Sequence, residues 1–99
     1  MKLSIVVPVL DEAERIRTAL APLQPFRTAG HELLVVDGGS RDGTFEVAVP
    51  LADRVLQAPR GRAVQMNVGA TVATGDVLLF LHADCRLPAG ADVAIASAF

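Results

Sequence analysis

Residues 77–86, VLLFLHADCR, run five apolar side chains straight into a short polar cluster. Val77 to Leu81 follow the breaker Gly75-Asp76, show no alternation of apolar and polar positions, and are too few for a buried helix. Such a run reads as a strand covered on both faces, and so as a central strand of a parallel sheet. Its carboxyl end delivers His82, Asp84 and Arg86 to one edge. Open α/β sheets bind ligands in the crevice outside the carboxyl ends of their strands.

The rest of the chain supplies the partners such a strand needs. Leu3 to Val7 form a first strand rich in β-branched residues, closed by Pro8, which cannot donate to a central ladder. Asp11 opens a helix with Glu14 in capping-box spacing, and Ile16, Leu20 and Leu23 give its apolar face. Pro22 and Pro25 end that helix or force an irregular last turn. Leu33 to Val36 make a second buried strand with Asp37 at its carboxyl end, and Gly38 to Gly43, GGSRDG, form a tight turn.

A short helix from about Thr44 is stopped by Pro50, and Arg54 to Gln57 are a weaker strand near a sheet edge. The loop Ala58-Pro59-Arg60-Gly61 leads into a helix predicted over Arg62 to Thr74. Met66, Ala70 and Ala73, with Gly69 beside them, give it a small-residue face that can lie close on a sheet, and Gly75 fits the C′ position. Pro88 starts a last amphipathic segment carrying Val93, Ile95, Ala98 and Phe99. Four strand-helix units in succession imply parallel strands with right-handed crossovers, a nucleotide-binding half-domain. The last segment runs out without a capping residue or polar tail, which points to the front half of something longer.

Composition narrows the setting. With 99 residues the chain makes one domain, and 52% hydrophobic against 20% charged residues excludes disorder. A formal charge of −2 leaves no electrostatic footprint for nucleic acid or an anionic membrane. The single Cys85 excludes an internal disulfide and a cysteine-based zinc site, and a reducing, cytoplasmic setting fits. MKLSIVVPVLDE lacks a signal-peptide cleavage pattern, and no stretch approaches the roughly 18 apolar residues of a membrane span.

Three strand ends carry acids (Asp11 and Glu12, Asp37, Asp84), and the third loop carries Arg60 and Arg62. Acids and arginines converging on one edge suit a ligand with hydroxyls or base edges as well as phosphates. Structural readings stand beside this: Asp11 as a helix cap, Asp37 as the brace of the Gly38-Gly39 turn, Asp84 as a cap to the next turn, His82 as an orienting or surface group, Cys85 as a small filler. Arg60 and Arg62 flank a helix N-terminus, where charge complementarity prefers acids, so they point to a ligand. Neither a P-loop nor a G-x-G-x-x-G turn follows any strand.

The succession SIVVPVLDE, LLVVDGGSRDGT, APRGRAVQMNVGA, ATGDVLLFLHAD resembles the donor-binding half of family-two glycosyltransferases with the GT-A fold, closest to a small subgroup reading LHAD in place of an acidic-x-acidic signature. The resemblance covers nearly all 99 residues. It implies a Rossmann-like α/β parallel sheet flanked by helices, strand order 3-2-1-4, and residues 1–99 as a nucleotide-sugar-binding half truncated at its C-terminus. It implies transfer of a sugar from a nucleotide diphosphate donor to an acceptor with inversion, usually with Mn2+ or Mg2+.

Carried over by motif, Pro8, Asp11 and Glu12 line the nucleotide pocket, Asp37 contacts the base, Arg60 and Arg62 lie near the base or phosphates, and Asp84 reaches the metal. His82 stands where the first acid of the signature would be, which weakens metal binding or shifts the ribose contact. The catalytic base and the acceptor-binding region belong to later segments, so this chain is expected to bind a donor without turning it over. Two other readings remain: a nucleotidyltransferase, for which Pro8 to Glu12 lacks the usual glycine- and lysine-bearing loop, and a non-catalytic nucleotide-binding module. An open sheet edge would favour self-association.

Overall fold

A computed structural model describes residues 1–98. Four strands, β1 (Leu3–Val9), β2 (Glu32–Asp37), β3 (Arg54–Gln57) and β4 (Val77–Phe80), form one parallel sheet in the order β3-β2-β1-β4. The α/β class and the 3-2-1-4 order are those expected from the sequence. Five helices flank the sheet: α1 (Ile16–Leu20), α2 (Gln24–Thr28), α3 (Thr44–Ala48), α4 (Arg62–Val72) and α5 (Ala91–Ser97).

Period-two geometry sends alternate strand residues to opposite faces. Leu3, Ile5, Val7, Leu33 and Val35 pack on one face against Ile16, Leu20, Leu23 and Phe26. Val6, Leu34 and Val36 pack on the other against Val68 and Val72 of α4 and Ala73 just beyond it. Both faces of β1 and β2 are therefore covered, which is why their sequences are continuous apolar runs.

The run at 77–81 is not the central strand. Among the described residues β4 stands at the edge, pairs only with β1, and ends at Phe80. Val77 and Leu79 reach the core, whereas Leu78 and Phe80 are 42% and 45% exposed. Helix α4 lies over β1 and β2 and leaves that face of β4 uncovered. An unbroken apolar run reads alike whether or not the same chain covers its second face.

Local expectations change in five further places. β1 continues through Pro8 to Val9 against β2, because its pairing with β4 stops at Val6 and the proline interrupts only the β4 side. Asp11 does not cap a helix: it has φ +49°, and α1 starts only at Ile16, after a turn in which the Arg15 and Ile16 amides donate to the Glu12 carbonyl at 2.9 and 2.8 Å. Pro22 and Pro25 split the helical stretch from Ile16 to Thr28 into α1, a 3-10 turn at Ala21–Leu23, and α2. Helix α4 stops at Val72, and Gln65 and Gly69 are its buried residues in place of Met66 and Ala70. Gly75 is not a left-handed C′ glycine; a Cβ there would lie 2.6 Å from Ser4 Oγ, so space against β1 demands it. Phe99 of the last amphipathic segment lies outside the described residues.

Candidate nucleotide site

The carboxyl ends of β1, β2 and β3 are level, with Val9 opposite Asp37 and Asp37 opposite Gln57. The loops leaving them are stitched together by short polar side chains. Asp37, 1% exposed, accepts the Ser40 amide at 3.2 Å and the Ser40 hydroxyl. Ser40 Oγ in turn accepts the Asp11 amide at 2.8 Å, and the Asp11 carboxylate accepts the Arg41 amide at 2.8 Å. Thr44 Oγ1 accepts the Glu12 amide at 2.8 Å while donating to Asp42, whose carboxyl that bond holds below its usual range. The turn SRDGT thus braces the segment 11–13, which explains how Asp11 keeps a left-handed backbone.

With its backbone fixed in this way, Glu12 turns into a cleft of about 140 Å³ lined by Pro8, Val9, Leu10, Glu12, Arg62, Gln65 and His82. A neighbouring hollow of about 210 Å³ shares Pro8, Arg62 and His82 and adds Met66, Phe80, Leu81 and Cys85. Burial pushes the Glu12 carboxyl above its ordinary range; Arg15 opposes that, Asp84 adds to it, and His82 opposes it. Asp84 sits 3.6 Å from His82 Nδ1 and 3.9 Å from Arg15 Nη1 with its side chain 66% exposed.

Of the residues singled out in the sequence, Pro8, Glu12, Arg62 and His82 meet in this cleft. Asp84 stands beside His82 at its rim. Asp37 lies under the Ser40 turn, while Asp11 and Arg60 are exposed on flanking loops and line neither hollow. Gln65 is the polar lining residue that sequence reasoning missed, beside the apolar Val9 and Leu10; its signal was a polar side chain on the sheet-facing side of an otherwise small and apolar helix. A larger hollow of about 310 Å³ lies between α2 and the segment entering α5, lined chiefly by apolar side chains such as Phe26 and Leu87.

Among the described residues no three His, Cys, Asp or Glu side chains cluster as a metal cage. An exposed carboxylate beside an imidazole nevertheless fits a cation that takes most of its ligands from phosphate oxygens and water. Among the described residues no helix is long and apolar enough to cross a membrane.

Comparison with known proteins bears on the family and the fold. The profile of Glycosyl transferase family 2 matches residues 4–94. Glycosyltransferase AglE of Haloferax volcanii is 33% identical over 91 residues, which is 83% of this chain and 30% of that protein. The mannosyltransferase PcManGT of Pyrobaculum calidifontis, solved with GDP-Man and Mn2+, superposes with a TM-score of 0.80 at 28% identity over 97% of this chain and 31% of its own. TarS of S. aureus in complex with UDP-GlcNAc gives a TM-score of 0.80 at 25% identity over 98% of this chain and 30% of its own. The chain thus spans less than a third of the length of each of these three proteins.

Proposed function

The chain belongs to glycosyl transferase family 2, and from that premise we propose that it binds the nucleoside diphosphate of a sugar donor in the cleft beside β1 and β4. The observation that carries this reading is the convergence of a carboxylate, a guanidinium and an imidazole, from Glu12, Arg62 and His82, on one cleft at the carboxyl edge of a parallel sheet. Arg62 offsets diphosphate charge, and Glu12 and His82 accept or donate to nucleoside hydroxyls. Asp11 and Asp37 act by holding the braced loops, and Arg60 reaches the phosphates from the α4 approach.

Asp84, with His82 beside it, would hold Mn2+ or Mg2+. A bound cation there would supply charge neutralisation to the departing diphosphate. Transfer itself is a displacement with inversion: the acceptor oxygen bonds to the anomeric carbon while the bond from that carbon to the phosphate oxygen breaks, its electrons leaving on the diphosphate. The acceptor proton goes to a general base. The reading LHAD over Leu81 to Asp84 supports membership of the subgroup with that signature, and a lone exposed thiol at Cys85 suits a reducing, cytoplasmic setting.

Calorimetric titration with UDP and with GDP, each with and without Mn2+, tests the reading. The expected result is binding of one nucleotide that Mn2+ strengthens about tenfold or more, with that gain lost in Asp84→Asn. Binding indifferent to metal would remove Asp84 from the assignment. A folded chain that binds neither nucleotide would sink the donor site itself.

A further inference from the structure

We infer that Gln65 is a positioning residue for this cleft: one buried amide ties the β1 loop and the start of α4, which line it, to the end of β2, and nucleotide affinity depends on it. The inference rests on the donor-site reading. Gln65 is 4% exposed and reaches three separate backbone segments. Its Nε2 donates to the Val9 carbonyl and to the Val36 carbonyl, each at 2.9 Å, and its Oε1 accepts the Gly61 amide at 3.2 Å. Val9 leads into the loop carrying Glu12, Val36 into the Asp37–Ser40 turn, and Gly61 into Arg62. Two walls of the cleft, the β1 loop and the start of α4, are thus tied to the same planar group and through it to the end of β2.

The chemistry allows few substitutes. Two N–H donors and an acceptor on one uncharged group are an amide's inventory, and asparagine is a methylene too short to reach the same carbonyls from α4. The surroundings are shaped to admit it. A Cβ at Gly38 would lie 2.7 Å from Oε1, so any other residue there would displace the amide. Holding α4 on the sheet does not require a polar group, since Val68, Gly69 and Val72 already pack there. An apolar side chain would pack as well but would strip Gln65's bonds from the two strand-end carbonyls, of which Val9's keeps the Gly38 amide at 3.0 Å, and would leave the Arg62 loop free to shift.

The test compares nucleotide affinity with stability in two variants. Gln65→Leu should keep its far-ultraviolet circular dichroism while its Kd for UDP or GDP rises roughly tenfold or more at temperatures well below its Tm. Gln65→Glu is nearly isosteric, and its carboxyl when protonated restores one of the two donors. Its affinity relative to the wild type should therefore be poor at neutral pH and recover below about pH 5. Glu12, Arg62 and His82 in the cleft and Asp37 at the end of β2 also face this region, so the wild-type pH profile is the reference.

A purely structural glutamine would lower Tm and leave Kd of the folded chain unchanged. That result in either variant would overturn the inference while leaving the donor site standing. A folded wild type that binds neither nucleotide would instead overturn the donor site, and the inference with it. If Gln65→Leu fails to fold, Gln65→Glu below about pH 5 still decides the question.

Discussion

Glu12 shows how a site differs from its support. Its carboxyl is raised by burial, with Arg15 opposing and Asp84 reinforcing. A raised carboxyl binds its proton more readily when folded, so its contribution to stability falls as pH rises from the unfolded value near 4.3 through the folded one. The penalty is then complete at neutral pH. Glu12→Gln is therefore expected to raise Tm by about 1–3 °C at pH 7, with the gain vanishing below about pH 4, while nucleotide affinity falls; calorimetric scans across pH check it. Equal midpoints at pH 7 would show that the carboxylate carries no strain. The sequence displays acids at three strand ends without saying which are free. Asp37 and Glu12 look alike in a string of letters, and only Ser40 and Thr44, arriving from the next turn, make one a brace and leave the other facing the cleft.

Helix α4 sets how closely the cleft wall approaches the sheet. A Cβ on Gly69 would sit 2.4 Å from Val6 Cγ1 and 3.2 Å from Val36 Cγ2, inside a packed layer that cannot give way. Gly69→Ala should destabilise the chain by about 1–3 kcal/mol, read as a lower midpoint in urea at unchanged m. An unshifted midpoint would mean that α4 slides freely on the sheet. β1, β2 and β4 were legible because apolar runs between breakers have few other uses; β3, RVLQ, showed only as a weaker strand. The contact face of α4 was legible only in part: Gly69 stood out, but Met66, Ala70 and Ala73 compete with Val68 and Val72, and the buried Gln65 breaks the apolar pattern that would have chosen between them. Gly75 misled for a related reason, since a glycine needed for space and one needed for positive φ are the same letter.

At the scale of the whole molecule the sheet is asymmetric. β1 and β2 are sealed on both faces, whereas β4 presents Leu78 and Phe80 to solvent on an edge strand. Such an edge invites pairing between copies, so Phe80→Lys is expected to shift the chain toward monomer in sedimentation or size-exclusion runs at high concentration. Identical profiles for the variant and the wild type would rule that edge out. The same asymmetry orders events during biosynthesis. Leu3 pairs with Val77 and Val6 with Phe80, so of the four strands β1 is completed by the one made latest. At about 5–20 residues per second, a ribosome delivers β4 roughly 4–15 s after β1. Through that interval β2 and β3 have already emerged, yet one flank of Leu3–Val9 still lacks its neighbour. In the nascent chain, the strand most in need of a chaperone is the one that ends up most deeply enclosed.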